Sequence, residues 1–118
     1  MTLITDEIRD LAGKAAAEIR RRGWYQGHFY NYDQYDSGTD IDDCGVCSLG
    51  AINAAKMMHP YSGLSESGNT LCSVIAERLN LPRGEGVSPS AAVAKWNDDP
   101  ERTVDDVLAQ LDYIASAA

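Results

Sequence analysis

The chain has 118 residues, of which 44% are hydrophobic and 24% are charged, and this length and composition are typical of one globular domain with its own core. Ten Lys and Arg residues against eighteen Asp and Glu residues give a net charge of −8. The averaged field of such a protein repels nucleic acid and anionic membranes. We therefore expect a single domain over residues 1–118 that binds neither directly.

The targeting and redox signals of the chain point to the cytoplasm. No window approaches the roughly 18 apolar residues that a membrane span needs, and the acidic, amphipathic N-terminal stretch is unlike a signal peptide. Cys44, Cys47 and Cys72 are an odd number of cysteines, so a secreted disulfide framework is not expected. We expect a cytoplasmic protein with reduced thiols and no membrane contact.

The first segment predicts a long amphipathic helix. Apolar residues recur at spacings of three and four between Ile4 and Ile19, which places them on one stripe of a helix. Thr2 or Thr5 can cap its start, and three arginines precede Gly23 at its end, where cations and a glycine are favoured.

The next segment is rich in aromatic residues, which suit an extended structure better than a helix. Residues 23–35 contain six of the nine aromatic residues of the chain, namely Trp24, Tyr25, Phe29, Tyr30, Tyr32 and Tyr35. We predict an extended arm or a short β-hairpin here. The polar stretch "YDSGTDIDD" that follows predicts an exposed loop.

Five aspartates lie between residues 33 and 43, a range that contains no Lys or Arg. We call this range the acidic segment and interpret it as a candidate binding surface. Its aspartates are Asp33, Asp36, Asp40, Asp42 and Asp43.

The remaining patterns predict further helices. A helix rich in small residues should run from about Val46 to Met58, with Asp42 or Asp43 as its cap. Another is expected over residues 70–79, and a third should start at Ser88 and end near Asn97. The last helix should begin at Thr103, with Asp106 completing a capping box. The predicted fold is mainly α: a compact bundle of about four to five helices, with the aromatic arm or hairpin after the first.

The spacing of Cys44 and Cys47 raises the possibility of metal or redox chemistry. A zinc site could be built from Cys44, Cys47, His59 and Cys72, but the second pair lacks the close spacing of such sites. A redox C-x-x-C motif should follow a β-strand, whereas an aspartate-rich loop precedes this one. We expect neither a metal nor another cofactor.

Cys47 has two possible roles. It could be a nucleophile in the first helical turn, with His28 or His59 as the base. It could also face the core as a small apolar residue, since cysteine is among the most buried residue types. The second interpretation is favoured, although the sequence leaves open whether a reaction is catalysed.

A second distinctive passage follows the fourth predicted helix. Trp96 can bury its ring where two helices meet, Asn97 tolerates a left-handed helix end, and Thr103 restarts the chain. These roles describe a structural corner. We predict an interior shared by seven residues: Trp24, Cys47, Leu49, Ile52, Trp96, Val107 and Leu111.

Three passages, "RRGWYQG", "CSLGAINAA" and "KWNDDPERTVDDVLAQLD", resemble in this order an uncharacterised family of small proteins from actinobacteria and their phages. The resemblance implies a mainly helical fold and a phage or mobile-element origin, and it names no reaction. The family pattern has one cysteine, corresponding to Cys47, so Cys44 and Cys72 look like additions. The residues that carry the resemblance, here called the motif residues, are Gly23, Trp24, Cys47, Gly50, Ala51, Trp96, Asn97, Asp98, Arg102 and Thr103.

The functional expectation is a non-enzymatic accessory protein, and the resemblance implies that a phage or mobile element encodes it. It would bind a protein partner that carries a basic patch, because its own charge is negative; mimicry of nucleic-acid charge is one version of this idea. The alternative is a small cysteine-dependent enzyme that uses Cys47 with His28 or His59.

Overall fold

The computed structural model describes residues 1–82 and 84–117. Within them the chain forms six α-helices and one short 3-10 helix. The helices are α1 (Asp6–Arg22), α2 (Tyr32–Asp36), α3 (Ser48–Ala55), α4 (Glu66–Leu79), α5 (Pro89–Asn97) and α6 (Val104–Ala115), and the 3-10 helix is Ile41–Asp43. The prediction of a mainly helical protein is confirmed.

The helix count differs from the predicted four to five because α2 forms beside the aromatic stretch. Asn31 caps this helix, with its side-chain oxygen accepting a hydrogen bond from the Gln34 amide at 3.1 Å. A five-residue helix is little more than one turn, too short for an apolar period to appear in the sequence.

The segment between α1 and α2 wraps around Val46. Trp24 forms an isolated parallel bridge with Val46, and Tyr30 forms an antiparallel bridge with the same residue. An extended arm or a short β-hairpin was predicted for this segment. The described residues show these isolated bridges instead of a regular hairpin. They tie the aromatic stretch to the residues that lead into α3.

Helix α1 is the element against which most others pack. It contacts α6, α3 and α4, while α5 packs against α4 and α3. The Cα radius of gyration is 13.2 Å, as expected for a compact chain of roughly this length. Fully buried side chains at the centre include Ile8, Ile19, Ile52, Leu71, Leu111 and Ile114.

Five of the seven residues that were predicted to share the interior are buried there. Cys47, Leu49, Ile52, Val107 and Leu111 all belong to one core cluster. The two tryptophans, in contrast, are only partly buried and pack against the edge of that cluster. Each indole therefore keeps a solvent-facing side.

Several predicted caps are confirmed. Thr5 caps α1, Ser88 caps α5 with Pro89 in the first turn, and Thr103 forms the capping box of α6 with Asp106. Gly23 ends α1 at a φ of +98°, a region that glycine adopts more readily than other residues.

Other predicted boundaries are wrong. The cap of α3 is Cys47 rather than Asp42 or Asp43, and α4 begins at Glu66, four residues before the predicted start, because Ser65 caps it. Helix α5 does end at Asn97, as predicted, but without the left-handed conformation that this residue would tolerate, since its cap is Asp98 at a φ of −89°. Left-handed conformations occur instead at Met57 and Asn80.

The connection between α4 and α5 contains a short-range backbone pairing. Gly84 and Val87 form an isolated antiparallel bridge, while Arg83 lies outside the described residues. None of the helices in the described ranges is both long enough and apolar enough to cross a membrane.

Candidate functional site: the Asn97 corner and the cavity beside Cys47

The side chain of Asn97 joins three separate parts of the chain. It is 1% exposed, and its Oδ1 atom accepts hydrogen bonds from Trp24 Nε1 at 2.8 Å, from the Ser48 amide at 3.0 Å and from Ser48 Oγ at 2.6 Å. Its Nδ2 atom donates to the Tyr25 carbonyl at 3.3 Å and to Asp98 Oδ1 at 3.0 Å. Both ends of the amide are thus satisfied, as a buried polar group requires.

Further hydrogen bonds fasten the aromatic stretch to the end of α5. Gln26 Nε2 donates to the carbonyls of Asn97 at 2.9 Å and Asp99 at 2.7 Å. The Gly27 amide donates to Asp98 Oδ1 at 2.9 Å. We call this network of residues 24–27, Ser48 and residues 97–99 the Asn97 corner.

Gly50 allows α3 to approach the aromatic stretch closely. A Cβ atom at this position would lie 2.0 Å from the Phe29 carbonyl oxygen and 3.0 Å from its carbonyl carbon. The same oxygen accepts a hydrogen bond from the Cys47 amide at 3.2 Å. A side chain at position 50 would therefore push this backbone contact apart.

The turn after α5 is held by Arg102. Its guanidinium carbon lies 4.3 Å from the centroid of the Trp96 ring, and its Nε atom donates to the Trp96 carbonyl at 2.9 Å. Thr103 then starts α6. Hydrogen bonds from Thr103, chiefly from its backbone amide, lower the pKa of Asp106, which keeps the capping carboxylate ionised.

A cavity of about 190 Å³ lies beside the corner. Its lining is largely apolar but includes a thiol, an imidazole and a carboxylate. The lining includes the side chains of His28, Phe29, Cys47, Leu49, Tyr61 and Asp98.

The thiol of Cys47 is buried and protonated at neutral pH. It is 6% exposed, and its sulfur accepts a hydrogen bond from the Gly50 amide at 3.4 Å. Burial raises the pKa of the Cys47 thiol to about 11, with a smaller contribution from the nearby Asp98 charge, although the backbone hydrogen bond from Gly50 acts in the opposite direction. This environment is the reverse of one that activates a cysteine nucleophile.

The structure separates the two histidines. His28 lines the same cavity as Cys47 and stacks on Tyr32, with ring centroids 4.5 Å apart. His59 lines a different cavity, of about 470 Å³, and its Nδ1 atom accepts a hydrogen bond from the Tyr61 amide at 3.0 Å. Of the two predicted base candidates, only His28 therefore lines the cavity that Cys47 also lines.

The other two cysteines are buried apart from this cavity. Cys44 donates a hydrogen bond to the Asp40 carbonyl at 3.4 Å, and burial raises its pKa, with the charges of Asp40 and Asp43 adding to the effect. Burial raises the pKa of Cys72 to about 12. All three cysteines are free, and within residues 1–82 and 84–117 no three His, Cys, Asp or Glu side chains are arranged to hold a metal ion.

The acidic segment lies on the surface and is anchored from α1. All five aspartates are exposed. Arg21 pairs with Asp43 at 3.0 Å and donates to the Asp42 carbonyl at 2.9 Å, while Arg22 donates to the Ile41 carbonyl at 2.9 Å. Among the described residues the other four aspartates have no ion-pair partner. Tyr35 lies in the same segment and is 50% exposed.

Comparison with known proteins places the chain in a family. The model of a family of unknown function, DUF6197, matches residues 4–117. The chain belongs to this family. Neither a curated protein nor a solved structure matches it.

In this DUF6197 chain most of the motif residues lie in or beside one corner. Trp24, Asn97 and Asp98 make its hydrogen bonds, and Gly23 and Gly50 shape the backbone around it. The bonds of Asn97 were not predicted. One signal was present, since Asn97 follows Val93 by four residues and therefore shares its buried helical face.

Proposed function

We propose that this DUF6197 protein is a non-enzymatic accessory protein that binds another protein through its acidic segment. The observation that carries the proposal is the exposure of five aspartates in one segment, of which only Asp43 has an ion-pair partner among the described residues. Unpaired surface carboxylates add little to the stability of a fold. They do supply a field that attracts a basic partner.

The chemistry of the segment defines the partner. A basic patch of Lys and Arg side chains complements the carboxylates, and such complementarity speeds association and selects among partners. Tyr35 adds an exposed aromatic ring within the segment, and tyrosine is a frequent contributor to binding energy at protein interfaces.

The proposed setting is the cytoplasm of an actinobacterium or of a cell infected by one of its phages. The three free cysteines support a reducing compartment, and the resemblance of the motif residues supports the actinobacterial or phage origin. The net charge of −8 supports a protein partner rather than nucleic acid.

The test is affinity capture from the native host with wild type and two charge-matched variants. D33N/D36N/D40N changes the acidic segment, whereas E7Q/E101Q/D105N removes three exposed carboxylates elsewhere. We expect a partner that is retained by wild type and by the control variant and is lost from the segment variant. Binding of the purified partner should weaken with added salt, because exposed charges are screened.

Retention by all three proteins alike would contradict the proposal. Loss from both variants would also contradict it, because the effect would then follow total charge rather than the acidic segment.

A second candidate function is a small cysteine-dependent enzyme, favoured by one observation. Cys47, His28 and Asp98 all line the 190 Å³ cavity. The test is the rate of Cys47 alkylation against pH in the native protein. An apparent pKa well below about 8.5 supports the enzyme, whereas a slow reaction that accelerates only towards pH 11 rejects it.

A further inference from the structure

The cavity beside Cys47 combines aromatic walls with a single fixed negative charge. Phe29 and Tyr61 both line it and meet edge to face, with ring centroids 5.2 Å apart. Asp98 also lines it, and its Oδ1 atom is held by the Gly27 amide at 2.9 Å and by Asn97 Nδ2 at 3.0 Å. Within the described residues no Lys or Arg lines this cavity.

This combination is complementary to an organic cation with an apolar body. Aromatic rings attract cations through their quadrupole, and the attraction grows when the cation is partly withdrawn from water. A carboxylate beside the rings adds a direct Coulomb attraction.

Size and hydrogen bonding narrow the class of ligand. A volume of 190 Å³ corresponds to roughly six water molecules of about 30 Å³ each, so the ligand is small. A primary ammonium brings three N–H donors that need acceptors, and the largely apolar lining offers few. A quaternary ammonium has no N–H group and carries its charge on methyl groups that suit an apolar wall.

We propose that the cavity beside Cys47 is a binding site for a small quaternary ammonium compound, with Asp98 as the counter-charge and Phe29 and Tyr61 as the aromatic walls. The site is separate from the acidic segment, and its ligand does not depend on the protein partner proposed above.

The first test compares two molecules of the same shape. Choline carries the quaternary ammonium, and 3,3-dimethyl-1-butanol replaces its nitrogen with carbon and is neutral. In calorimetric titrations of the wild-type protein we expect saturable binding of choline that is about tenfold tighter than that of the alcohol, or more. Equal affinities, or no saturable binding of choline, would overturn the proposal without any variant.

The second test locates the site with matched variants. Asp98→Asn keeps an oxygen for the Gly27 amide but removes the charge, and we expect choline affinity to fall about tenfold. Tyr61→Leu should weaken it about two- to fivefold, and because Tyr61 is 60% exposed, this variant should fold even if D98N does not. Tyr113→Leu, at a 55% exposed tyrosine on α6 that does not line the cavity, is the control and should leave the choline affinity unchanged.

The acidic segment provides the final control. D33N/D36N/D40N should bind choline with wild-type affinity, because Asp33, Asp36 and Asp40 are not among the residues that line the cavity. If this variant loses choline binding while D98N keeps it, the cation is held by the acidic surface and the proposed site is wrong. Failure of partner capture, in contrast, would leave the choline result unchanged.

Discussion

The Asn97 corner and the acidic segment are both polar, but their polar groups are used in opposite ways. In the corner, Asn97 is buried and both ends of its amide are hydrogen-bonded. In the acidic segment the aspartates are exposed, and only Asp43 has an ion-pair partner among the described residues. Buried polar groups must be satisfied within the fold, whereas exposed carboxylates are free to meet a partner.

Several motif residues have structural roles in the Asn97 corner, so their presence does not by itself indicate catalysis. Hydrogen bonds within the fold explain Trp24 and Asn97, and the close approach of the Phe29 carbonyl explains why position 50 is a glycine. The acidic segment is held by fewer contacts: Arg21 and Arg22 anchor its end, and Asp40 accepts a hydrogen bond from the Asp42 amide at 3.4 Å. The carboxylates of Asp33 and Asp36 have no such role in the described structure. Changes in the corner should therefore alter stability, and changes in the segment should alter binding.

The largest loss of stability is expected for Asn97→Ala. The substitution leaves the Trp24 indole N–H and the amide and hydroxyl of Ser48 without their acceptor. Since an unsatisfied buried donor costs about 1–3 kcal/mol, we expect the free energy of unfolding to fall by about 3–5 kcal/mol, measured by urea denaturation. Asn69→Ala, at an exposed position on α4, is the control and should change it by less than about 0.5 kcal/mol. Similar losses in both variants would remove the distinction between the corner and the surface.

Two helical glycines, Gly13 and Gly50, differ in whether the fold leaves room for a side chain. In Gly50→Ala the new Cβ meets the Phe29 carbonyl at 2.0 Å, so the backbone must move and stability should fall by about 1–3 kcal/mol. In Gly13→Ala the nearest contact is Ala115 Cβ at an ordinary 3.6 Å, and the gain in helix propensity should stabilise the protein by about 0.5–1 kcal/mol. Opposite signs in thermal or urea unfolding are the expected result, and a neutral G50A would show that α3 does not depend on this close approach.

The buried thiols predict a loss of stability at alkaline pH. The pKa values of Cys47 and Cys72 are raised to about 11 and about 12 in the folded protein, against about 8.5 in an unfolded chain. The folded state therefore holds these protons more tightly, so its stability is complete below pH 8.5 and declines as the pH rises towards 11.

The measurement is urea unfolding under reducing conditions at pH 8 and pH 10. We expect the wild type to lose about 4 kcal/mol more than a C47S/C72A variant over this interval, roughly 2 kcal/mol for each thiol. Ser at position 47 can still cap α3, since its hydroxyl is a preferred acceptor at that position. Identical pH dependence in the two proteins would show that the thiols are accessible to water.

The smallest change in the free energy of unfolding is expected for substitutions in the acidic segment. D33N/D36N/D40N removes three exposed charges without removing a described ion pair, so the free energy of unfolding should stay within about 0.5 kcal/mol of wild type. Urea denaturation of the variant checks this. A loss comparable to that of Asn97→Ala would show that the segment serves the fold after all.

Local signals allowed much of the fold to be predicted. The caps at Thr5, Ser88 and Thr103 were readable because each combines a preferred cap residue with a helical apolar period. The cap of α3 was missed because cysteine is not a preferred cap residue, and two nearby aspartates offered a more familiar choice.

The candidate site depended on contacts between residues distant in the sequence. Asn97 meets Trp24 across 73 positions, and Arg21 meets Asp43 across 22. A helical period shows which face of a helix is buried, but it does not show what that face meets. The convergence of Cys47, His28 and Asp98 on one cavity was hidden for the same reason.

Native-state hydrogen exchange tests the contrast between the two regions most directly. The Ser48 amide donates to the buried Asn97 Oδ1 atom, and we predict that it exchanges at a rate close to that set by global unfolding. The amides of the acidic segment around Asp36 should exchange many times faster, through local opening. Exchange of the Ser48 amide as fast as that of the acidic segment would contradict the account, because the Asn97 corner would then open as readily as the surface beside it.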